Sequence, residues 1–282
     1  MSEYRVVQVS DLHLGAGHEH HYDNWRKVAA WIEREKPDVV VVNGDVVMED
    51  PDIEADHAFA RAQIGKLTVP CRYLPGNHDI GDNVLFGKMA QRVNDERRGR
   101  FLRHFGEERW AFEAGGWGFV GLNAQLFGSG GQSAEAEQWD WIEASLGRFS
   151  GRPIALFLHK PLFLDHPAEP DHDDLLLRQS CVDRASRTRL LELCRRHGVR
   201  LISCGHKHQS RAFSLDDIYH IWAPATACVN GPPDRLHWGV REVGFVDYRF
   251  RPDGFTHRFV GADFLFRHEN YMRKHDASGG EG

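Results

Sequence analysis

Short runs of β-branched residues alternate along the chain with segments in which apolar residues recur at helical spacing. Residues 4–10 (YRVVQVS) have the composition of a strand, and residues 38–43 (DVVVVN) form an almost wholly apolar run. Between these runs, apolar residues recur at helical spacing from Trp25 to Ile32, and Pro37 prevents the helix from continuing. Wholly apolar strands are typical of sheets buried on both faces, so the pattern predicts parallel strands joined by βαβ crossovers.

The same alternation continues to the end of the chain. Further helices are predicted over residues 53–67, before Gly147 and before Gly198. Further strands are predicted over residues 71–74, 117–122, 154–158, 199–203, 219–223, 243–250 and 255–260. Residues 251–254 (RPDG) have the composition of a hairpin turn between the last two strands. Because no linker divides the pattern, we expect one mixed α/β domain over residues 1–268 and a flexible tail over residues 269–282.

Length, charge and cysteine content narrow the classes of function. A chain of 282 residues buries enough surface to fold without a structural metal, so any metal should serve function. The net charge of −6 opposes attraction to nucleic acid or to an anionic membrane, and we expect the protein to bind neither. The sequence leaves open whether the protein forms an oligomer. The five cysteines form no CxxC pair, and the sequence shows no signal peptide, which predicts free thiols in a cytoplasmic protein.

Polar side chains follow the predicted strands at the point where each strand ends. These side chains are Asp11 and His13, then Asp45, then Asn77, His78 and Asp79, then His159, and finally His206 and His208. Ligands of open α/β sheets bind at the carboxyl ends of the strands, so the five stretches should converge on one crevice. Imidazole and carboxylate groups are ligands for zinc, manganese or iron, and no cysteine in these motifs calls for a softer metal.

The ordered series of motifs DxH, GD, GNHD, H and GHxH resembles the calcineurin-like metallophosphoesterase superfamily. The motifs run from Asp11 to His208 and span most of the chain. The SDLHL opening, the GNHD block and the length look most like the bacterial class III cyclic-nucleotide phosphodiesterase branch. The resemblance implies two mixed β-sheets in a sandwich flanked by helices, a four-layer αββα fold, and a centre that holds two metal ions of iron, manganese or zinc.

The resemblance also implies a role for each motif residue. Asp11, His13 and His208 would bind the first metal ion, and Asn77, His159 and His206 would bind the second. Asp45 would bridge the two ions, and a hydroxide held between them would attack phosphorus. His78 would face the leaving oxygen as a general acid, Asp79 would orient the imidazole of His78, and both Asn77 and His78 would contact substrate.

Three further regions are candidates for substrate contact. His18, His20 and His21 follow the first ligand pair in a predicted loop over the metal edge, although a solvated loop is the simpler interpretation. Asn123, at the end of the strand at 117–122, would reach a phosphate oxygen or would cap a turn. The acidic stretch at residues 165–174 (DHPAEPDHDD) would form a solvated flap beside the pocket.

These observations predict a metal-dependent phosphoric ester hydrolase that acts on a small phosphodiester of the cyclic-nucleotide or glycerophosphodiester type. A phosphomonoesterase or a nucleotidase or pyrophosphatase of the same superfamily is the alternative. A nuclease is disfavoured because the chain lacks a basic stripe. A non-catalytic scaffold is disfavoured because all seven ligand positions hold competent residues.

Overall fold

The computed structural model describes residues 3–17, 19–48, 50–83, 92–130, 133–230 and 237–270. Within these residues the strands are β1 (Tyr4–Val9), β2 (Val39–Asn43), β3 (Cys71–Leu74), β4 (Trp110–Ala114), β5 (Trp117–Leu122), β6 (Ile154–Leu158), β7 (Val199–Cys204), β8 (Arg211–Leu215), β9 (Ile218–Trp222), β10 (Val229–Asn230), β11 (Phe245–Arg251), β12 (Gly254–Val260) and β13 (Glu269–Asn270). The helices are α1 (Glu19–Glu35), α2 (Glu54–Ile64), α3 (Asn77–Ile80), α4 (Asp95–Phe105), α5 (Ser133–Arg148), α6 (Leu175–Arg178) and α7 (Arg184–His197).

The long strands form two mixed sheets. The five-stranded sheet has the order β12-β11-β1-β2-β3, in which β1, β2 and β3 are parallel and β11 and β12 run antiparallel to their neighbours. The six-stranded sheet has the order β4-β5-β6-β7-β9-β8, with a parallel centre from β5 to β9 and one antiparallel strand at each edge. The expected two-sheet architecture is therefore confirmed.

The apolar runs of the sequence are explained by two cores on opposite faces of each sheet. Val6 and Val41 of the five-stranded sheet pack in the core between the sheets, together with Phe157 and Leu201 of the six-stranded sheet. The neighbouring strand residue Val40 faces the other way, into a second core. Since successive side chains of a strand point to opposite faces, a strand that is buried on both faces must be apolar at every position.

Helices cover the two outer faces. Trp25 and Ile32 of α1 and Phe101 of α4 belong to the outer core of the five-stranded sheet. Ile142 of α5 and Leu190 of α7 belong to the outer core of the six-stranded sheet. The layers therefore follow the order helices, sheet, sheet, helices, as the αββα expectation required.

Several strands and boundaries differ from the sequence pattern, including the short β10 and β13, which were not predicted. Neither β4 nor β8 is predicted, because both are edge strands with few fully buried positions. Helix α5 passes through Gly147 and ends at Arg148, one residue beyond the predicted stop. Helix α7 ends as predicted, because Gly198 adopts a left-handed conformation (φ 75°) that closes its last turn.

The end of the predicted domain lies close to the end of the described chain. Strand β13 pairs in parallel with β10. Its residues, Glu269 and Asn270, belong to the predicted flexible tail but are part of the folded structure. The rest of that tail, residues 271–282, lies outside the described residues. The boundary at residue 268 stays a prediction.

Among the described residues, none of the helices has both the length and the apolar character needed to cross a membrane.

Candidate metal centre

The residues predicted to bind metal lie at the carboxyl ends of β1, β2, β6 and β7 and at the start of α3. Hydrogen bonds join neighbouring loops within each sheet, and the amide of His206 donates to Asp11 Oδ2 (3.0 Å) from one sheet to the other. The amide of Asp11 donates to the carbonyl of Gly44 (3.0 Å), and the amide of Gly205 donates to the carbonyl of His159 (2.9 Å). The convergence of five sequence stretches on one crevice is therefore a property of the fold.

Six of the seven predicted ligands fall into groups of three whose ligand atoms lie within 4.8 Å of one another. One group holds Asp11, His13 and His208, and another holds Asp45, His159 and His206. Asp45 belongs also to a third group, with His13 and His78. Asp45 and His13 thus connect the groups, since each of them belongs to two.

Each histidine of the centre is oriented by a backbone carbonyl on the side away from its neighbours. The pairs are His13 Nδ1 with Met48 O (3.0 Å), His78 Nδ1 with Met48 O (2.9 Å), His159 Nδ1 with Asn43 O (2.8 Å), His208 Nδ1 with Cys228 O (2.7 Å) and His206 Nε2 with Gln179 O (3.2 Å). A carbonyl can only accept, so the nitrogen that faces it carries the proton. The opposite nitrogen then presents its lone pair to the centre, as a metal ligand must.

The distances between facing ligand atoms suit a shared ion. His208 Nε2 lies 3.2 Å from His13 Nε2 and 3.2 Å from Asp11 Oδ1, and His159 Nε2 lies 3.3 Å from Asp45 Oδ2. Two ligands that bind one ion at about 2.1 Å with a tetrahedral or right-angled geometry are separated by about 3.0–3.4 Å. The side chains are therefore arranged at the spacing that an ion requires.

Four ligand atoms of the centre are buried and form no hydrogen bond: Asp11 Oδ1, Asn77 Oδ1, His159 Nε2 and His206 Nδ1. A buried polar atom without a partner costs about 1–3 kcal/mol, and such atoms are rare in folded proteins. The four atoms belong to residues on both sides of Asp45. Together they supply carboxylate, amide and imidazole groups that could ligate a metal ion. This donor set fits two ions such as zinc, manganese or iron.

The carboxylates stay ionised, and they attract positive charge to the rings they face. Burial alone would raise the pKa of Asp11 and of Asp45, but His208 and His159 respectively hold both values well below the usual range. Burial would lower the pKa of His159, but Asp45 outweighs it and raises that pKa to about 9. Burial, together with His78 and His208, lowers the pKa of His13 to about 3. The centre thus combines the neutral ring of His13 with two anionic carboxylates that favour positive charge beside them.

The backbone at the centre is strained. Five ligands have φ angles in the left-handed region: Asp11 (54°), His13 (45°), Asp45 (49°), His206 (66°) and His208 (51°). Non-glycine residues rarely adopt this region, and such strain accumulates at functional sites. The close packing also requires glycine at two positions, because a Cβ on Gly76 would collide with Asp45 and a Cβ on Gly205 would collide with Ser10.

His78 lies at the edge of the centre. Its side chain is 27% exposed, and Nε2 lies 3.8 Å from Asp45 Oδ2. Since Nδ1 is bound to the Met48 carbonyl, Nε2 is the nitrogen available to a substrate. A ring nitrogen of His78 lies within 4.8 Å of ligand atoms of His13 and Asp45, so the structure brings His78 close to the predicted metal ligands as well as to the open side.

Asp79 does not contact the His78 ring, and the predicted orienting role is corrected here. Its Oδ1 accepts hydrogen bonds from the amides of Val46 and Val47 (both 2.9 Å), and its Oδ2 accepts one from the amide of Gly76 (2.8 Å). Burial and the nearby Asp45 raise the pKa of Asp79 to about 7. Asp79 therefore joins the loop after β2 to the turn before α3, and the Met48 carbonyl orients the His78 ring in its place.

The histidines after the first ligand pair do not form a long loop. His18 and the His20 side chain lie outside the described residues, but helix α1 begins already at Glu19. His21 is buried, and its Nδ1 lies 3.2 Å from the His13 carbonyl oxygen. The prediction of a loop at His20 and His21 is therefore wrong, because the helical pattern extends further toward the N-terminus than its apolar residues show.

Asn123 is committed to a turn. Its Oδ1 accepts a hydrogen bond from the amide of Gln125 (2.9 Å), and its Nδ2 donates to Glu108 Oε2 (2.9 Å). The side chain is fully buried. Of the two predicted roles, capping a turn is the one the structure shows, and the expected contact with phosphate is not supported.

The acidic stretch at residues 165–174 is held in place by its own hydrogen bonds. Glu169 accepts from the amides of Leu164 (2.8 Å) and Asp165 (3.0 Å), and the buried Arg187 donates to the carbonyls of Pro167 (3.0 Å) and Glu169. The segment that follows brings the Gln179 carbonyl to His206. The stretch is thus fixed by hydrogen bonds and leads into the segment that contacts His206. That it borders the substrate pocket stays a prediction.

Sequence reasoning missed three residues that position the ligands. The Met48 carbonyl orients two histidines, and no sequence signal marks a backbone group. Ser10 Oγ lies 2.6 Å from Asp11 Oδ2, and Asn43 Nδ2 donates to the Leu158 carbonyl (3.1 Å). A polar residue one or two positions before a predicted ligand, where an otherwise apolar run ends, was the available signal for Ser10 and Asn43.

The model of the calcineurin-like phosphoesterase family matches residues 4–210, which include all the motif residues. The chain belongs to this family. Its relatives include the serine/threonine-protein phosphatase CPPED1 of Danio rerio, 28% identical over 82% of this chain and 70% of the relative. The cAMP phosphodiesterase CpdA of Escherichia coli is 25% identical over 81% and 78% of the two chains. The probable glycerophosphodiester phosphodiesterase GpdQ of Arcobacter nitrofigilis is 24% identical over 95% and 93%.

Solved structures agree on the fold of this calcineurin-like phosphoesterase. A dimetal phosphatase from Danio rerio superposes with a TM-score of 0.65 over 92% of this chain and 96% of the other, at 15% sequence identity. Purple acid phosphatase PPD1 of yellow lupin superposes with a TM-score of 0.67 over 96% and 54% of the two chains, also at 15% identity. At these identities the likeness establishes the two-sheet architecture alone.

Proposed function

We propose that the protein hydrolyses a small phosphodiester, of the cyclic-nucleotide or glycerophosphodiester type, with two metal ions. The observation that carries this proposal is the set of four buried ligand atoms that form no hydrogen bond and lie around Asp45. The names of CpdA and GpdQ, whose matches extend over more than three quarters of both chains, support a diester as the substrate.

Two bound ions would activate a water molecule and neutralise the phosphoryl oxygens. We assign Asp11, His13 and His208 to one ion and Asn77, His159 and His206 to the other, and we assign Asp45 to both. The carboxylates of Asp11 and Asp45 supply two negative charges, and an activated hydroxide would supply a third, against four positive charges from divalent ions. The one positive charge that remains would be balanced by a diester, which carries a single negative charge.

His78 is the group we assign to the leaving oxygen. Its Nδ1 is held by the Met48 carbonyl, its Nε2 lies 3.8 Å from Asp45 Oδ2, and its side chain is partly exposed. In the form of the ring that carries a proton on both nitrogens, the Nε2 proton would pass to the leaving alkoxide, which needs one because the pKa of an alcohol is high, and the ring would be left neutral.

A phosphomonoester is the second candidate substrate. The name of CPPED1 describes a protein phosphatase, and its match covers 82% of this chain. The charge argument does not exclude a dianionic monoester, because the two ions would also attract it. Metal identity is part of the proposal, with iron, manganese and zinc all suited to the donors. So is a cytoplasmic location, which the five free cysteines support.

The test compares hydrolysis of bis(p-nitrophenyl) phosphate, p-nitrophenyl phosphate, cyclic AMP and a glycerophosphodiester, each with added Mn²⁺. We expect kcat/KM to be higher for the diesters than for p-nitrophenyl phosphate. An Asp45→Asn variant measured in parallel controls for contaminating hydrolases. A clear preference for the monoester would replace the proposal with its alternative, and no metal-dependent hydrolysis of any ester would reject both.

A further inference from the structure

A second cavity, of about 520 Å³, lies between α4, β4 and α5. Strand β4 is the outermost strand of the six-stranded sheet, and β5 and β6 separate it from β7, which leads to His206 and His208. None of the residues that line this cavity belongs to the candidate metal centre. Its volume falls within the range of small-molecule sites.

The walls of the cavity carry three arginines, Arg98, Arg109 and Arg148, and two glutamates, Glu107 and Glu108. Arg98 is already neutralised, because its Nε lies 3.2 Å from both carboxylate oxygens of Glu108. In the part of the chain that the structure describes, Arg109 and Arg148 form no ion pair. The exposed Glu107 supplies one opposing charge, so the cavity has a net positive charge.

Both unpaired arginines are held by aromatic faces. The Arg109 guanidinium lies 5.7 Å from the ring centroid of Trp141, and the Arg148 guanidinium lies 5.2 Å from that of Phe149. A cation–π contact engages the flat face of a guanidinium and leaves its N–H groups free in the plane. Two sets of such donors at one cavity suit a group with several acceptor oxygens and two negative charges, which describes a phosphomonoester better than a carboxylate.

The cavity also offers a surface for a flat apolar ring. Trp141 is half-buried, and the side chain of Leu102 on the opposite helix is 40% exposed. Large apolar side chains beside unpaired cations are a common arrangement for ligands that join an aromatic ring to an anionic group.

We propose that this cavity is a second binding site, for an aromatic phosphomonoester such as a nucleoside monophosphate. The phosphate would accept hydrogen bonds from Arg109 and Arg148, and the ring would lie against Trp141 and Leu102. The site is separate from the proposed hydrolysis and requires no metal ion.

Calorimetric titration of the full-length protein with AMP tests the proposal, with adenosine and inorganic phosphate as separate probes. The titrations are made in EDTA, because metal ions at the proposed hydrolytic centre would themselves bind a phosphomonoester. We expect Arg109→Gln combined with Arg148→Gln to weaken AMP binding by at least about tenfold, since each charged hydrogen bond contributes substantially. Adenosine and phosphate should each bind more weakly than AMP, and Trp141→Ala should weaken AMP but not phosphate. Hydrolysis of bis(p-nitrophenyl) phosphate should be unchanged in the arginine variant.

Arg189→Gln is the matched control, because the Arg189 guanidinium also lies over a tryptophan of α5 (Trp139, 4.2 Å) but outside the cavity. It should bind AMP as the unmodified protein does. The titration is repeated on Asp45→Asn, which should lose hydrolysis and keep the cavity site. Binding that survives the double arginine substitution, or disappears in Asp45→Asn, would overturn the proposal. Phosphate bound as tightly as AMP would overturn the aromatic part. A failure of the proposed hydrolysis would leave these binding results intact.

Discussion

Two buried polar clusters lie within a few residues of each other on the same strands and differ in how their hydrogen bonds are satisfied. Between the sheets, Ser203 Oγ lies 2.5 Å from Gln8 Oε1 and 2.7 Å from Tyr248 Oη, and Gln8 Nε2 donates to the Cys204 carbonyl (3.1 Å). At the ends of the same strands, Asp11 Oδ1 and His206 Nδ1 are buried and form no hydrogen bond. Both clusters are buried and polar, but only in the first cluster are all the polar side-chain atoms hydrogen-bonded within the protein.

The difference shows which cluster is complete within the protein. The Gln8 cluster has extended backbone and satisfied side chains, so it stabilises the contact between the sheets without help. The metal centre combines unpartnered atoms with left-handed backbone at five ligands, each costing about 1–3 kcal/mol. A structure bears such costs where a ligand compensates for them.

Asp45→Ala should have the largest effect, because Asp45 belongs to ligand groups on both sides of the centre. We expect kcat/KM to fall at least about a thousandfold, since the ions contribute several kcal/mol to the transition state. Purified variant protein should contain less metal by elemental analysis. EDTA should lower the melting temperature of the unmodified protein and leave that of Asp45→Ala unchanged, because only the former gains stability from bound ions.

A terminal ligand provides the comparison for Asp45. His206→Ala should keep partial activity that excess Mn²⁺ restores, because its loss affects one ion only. Near-normal activity and metal content in Asp45→Ala would contradict the two-ion centre.

His78→Ala separates leaving-group assistance from metal binding. We expect a loss of about 10²–10⁴-fold for an alkyl diester, the usual contribution of a general acid, and a smaller loss for bis(p-nitrophenyl) phosphate, whose leaving group needs no proton. Rates on both substrates are measured together with metal content. Equal losses would indicate that His78 stabilises phosphoryl charge, and loss of metal would make it a ligand shared with His13 and Asp45.

The sequence contained the parts of this picture that depend on residue type and order. The apolar runs of β2 and β6 follow directly from burial on both faces, and the five motifs pointed to side chains that the fold brings together. Edge strands such as β8 escaped because their alternating, half-exposed positions carry no continuous apolar signal. Asp79 was misassigned because its partners are backbone amides, which only the folded chain brings together.

Acid should affect stability and metal binding through different residues. The residue that we expect to affect stability is a buried histidine outside both clusters. His220 stacks on Phe213 (ring centroids 5.0 Å apart), and burial, assisted by Arg211, lowers its pKa to about 4. Its contribution to stability is complete above pH 6.5, its ordinary pKa. This contribution to the free energy of unfolding is lost as the pH falls toward 4, because over that range the histidine is protonated in the unfolded chain but stays neutral in the folded chain. The loss is on the order of 3 kcal/mol.

His220→Phe should therefore flatten the decline in unfolding free energy between pH 6.5 and 4, measured by urea denaturation in EDTA. The exposed His166→Phe is the control and should decline as the unmodified protein does. Activity should still fall with acid in His220→Phe, because protonation of the ligand histidines releases metal. An unchanged slope would show that His220 is not the residue that titrates on unfolding.

Tyr248→Phe should have the smallest effect, and it tests the hydrogen-bonded cluster of Gln8, Ser203 and Tyr248. The substitution removes a hydroxyl that lies 2.7 Å from Ser203 Oγ, and the usual net cost of such a hydrogen bond is about 1 kcal/mol. The free energy of unfolding should fall by that amount, with metal content and kcat/KM unchanged. In a double-mutant cycle, Ser203→Ala added to Tyr248→Phe should cost less than the sum of the two single changes, because both remove the same contact. A loss of bound metal in Tyr248→Phe would mean that the two clusters are energetically one, and that the Gln8 cluster positions the ligands as well as the sheets.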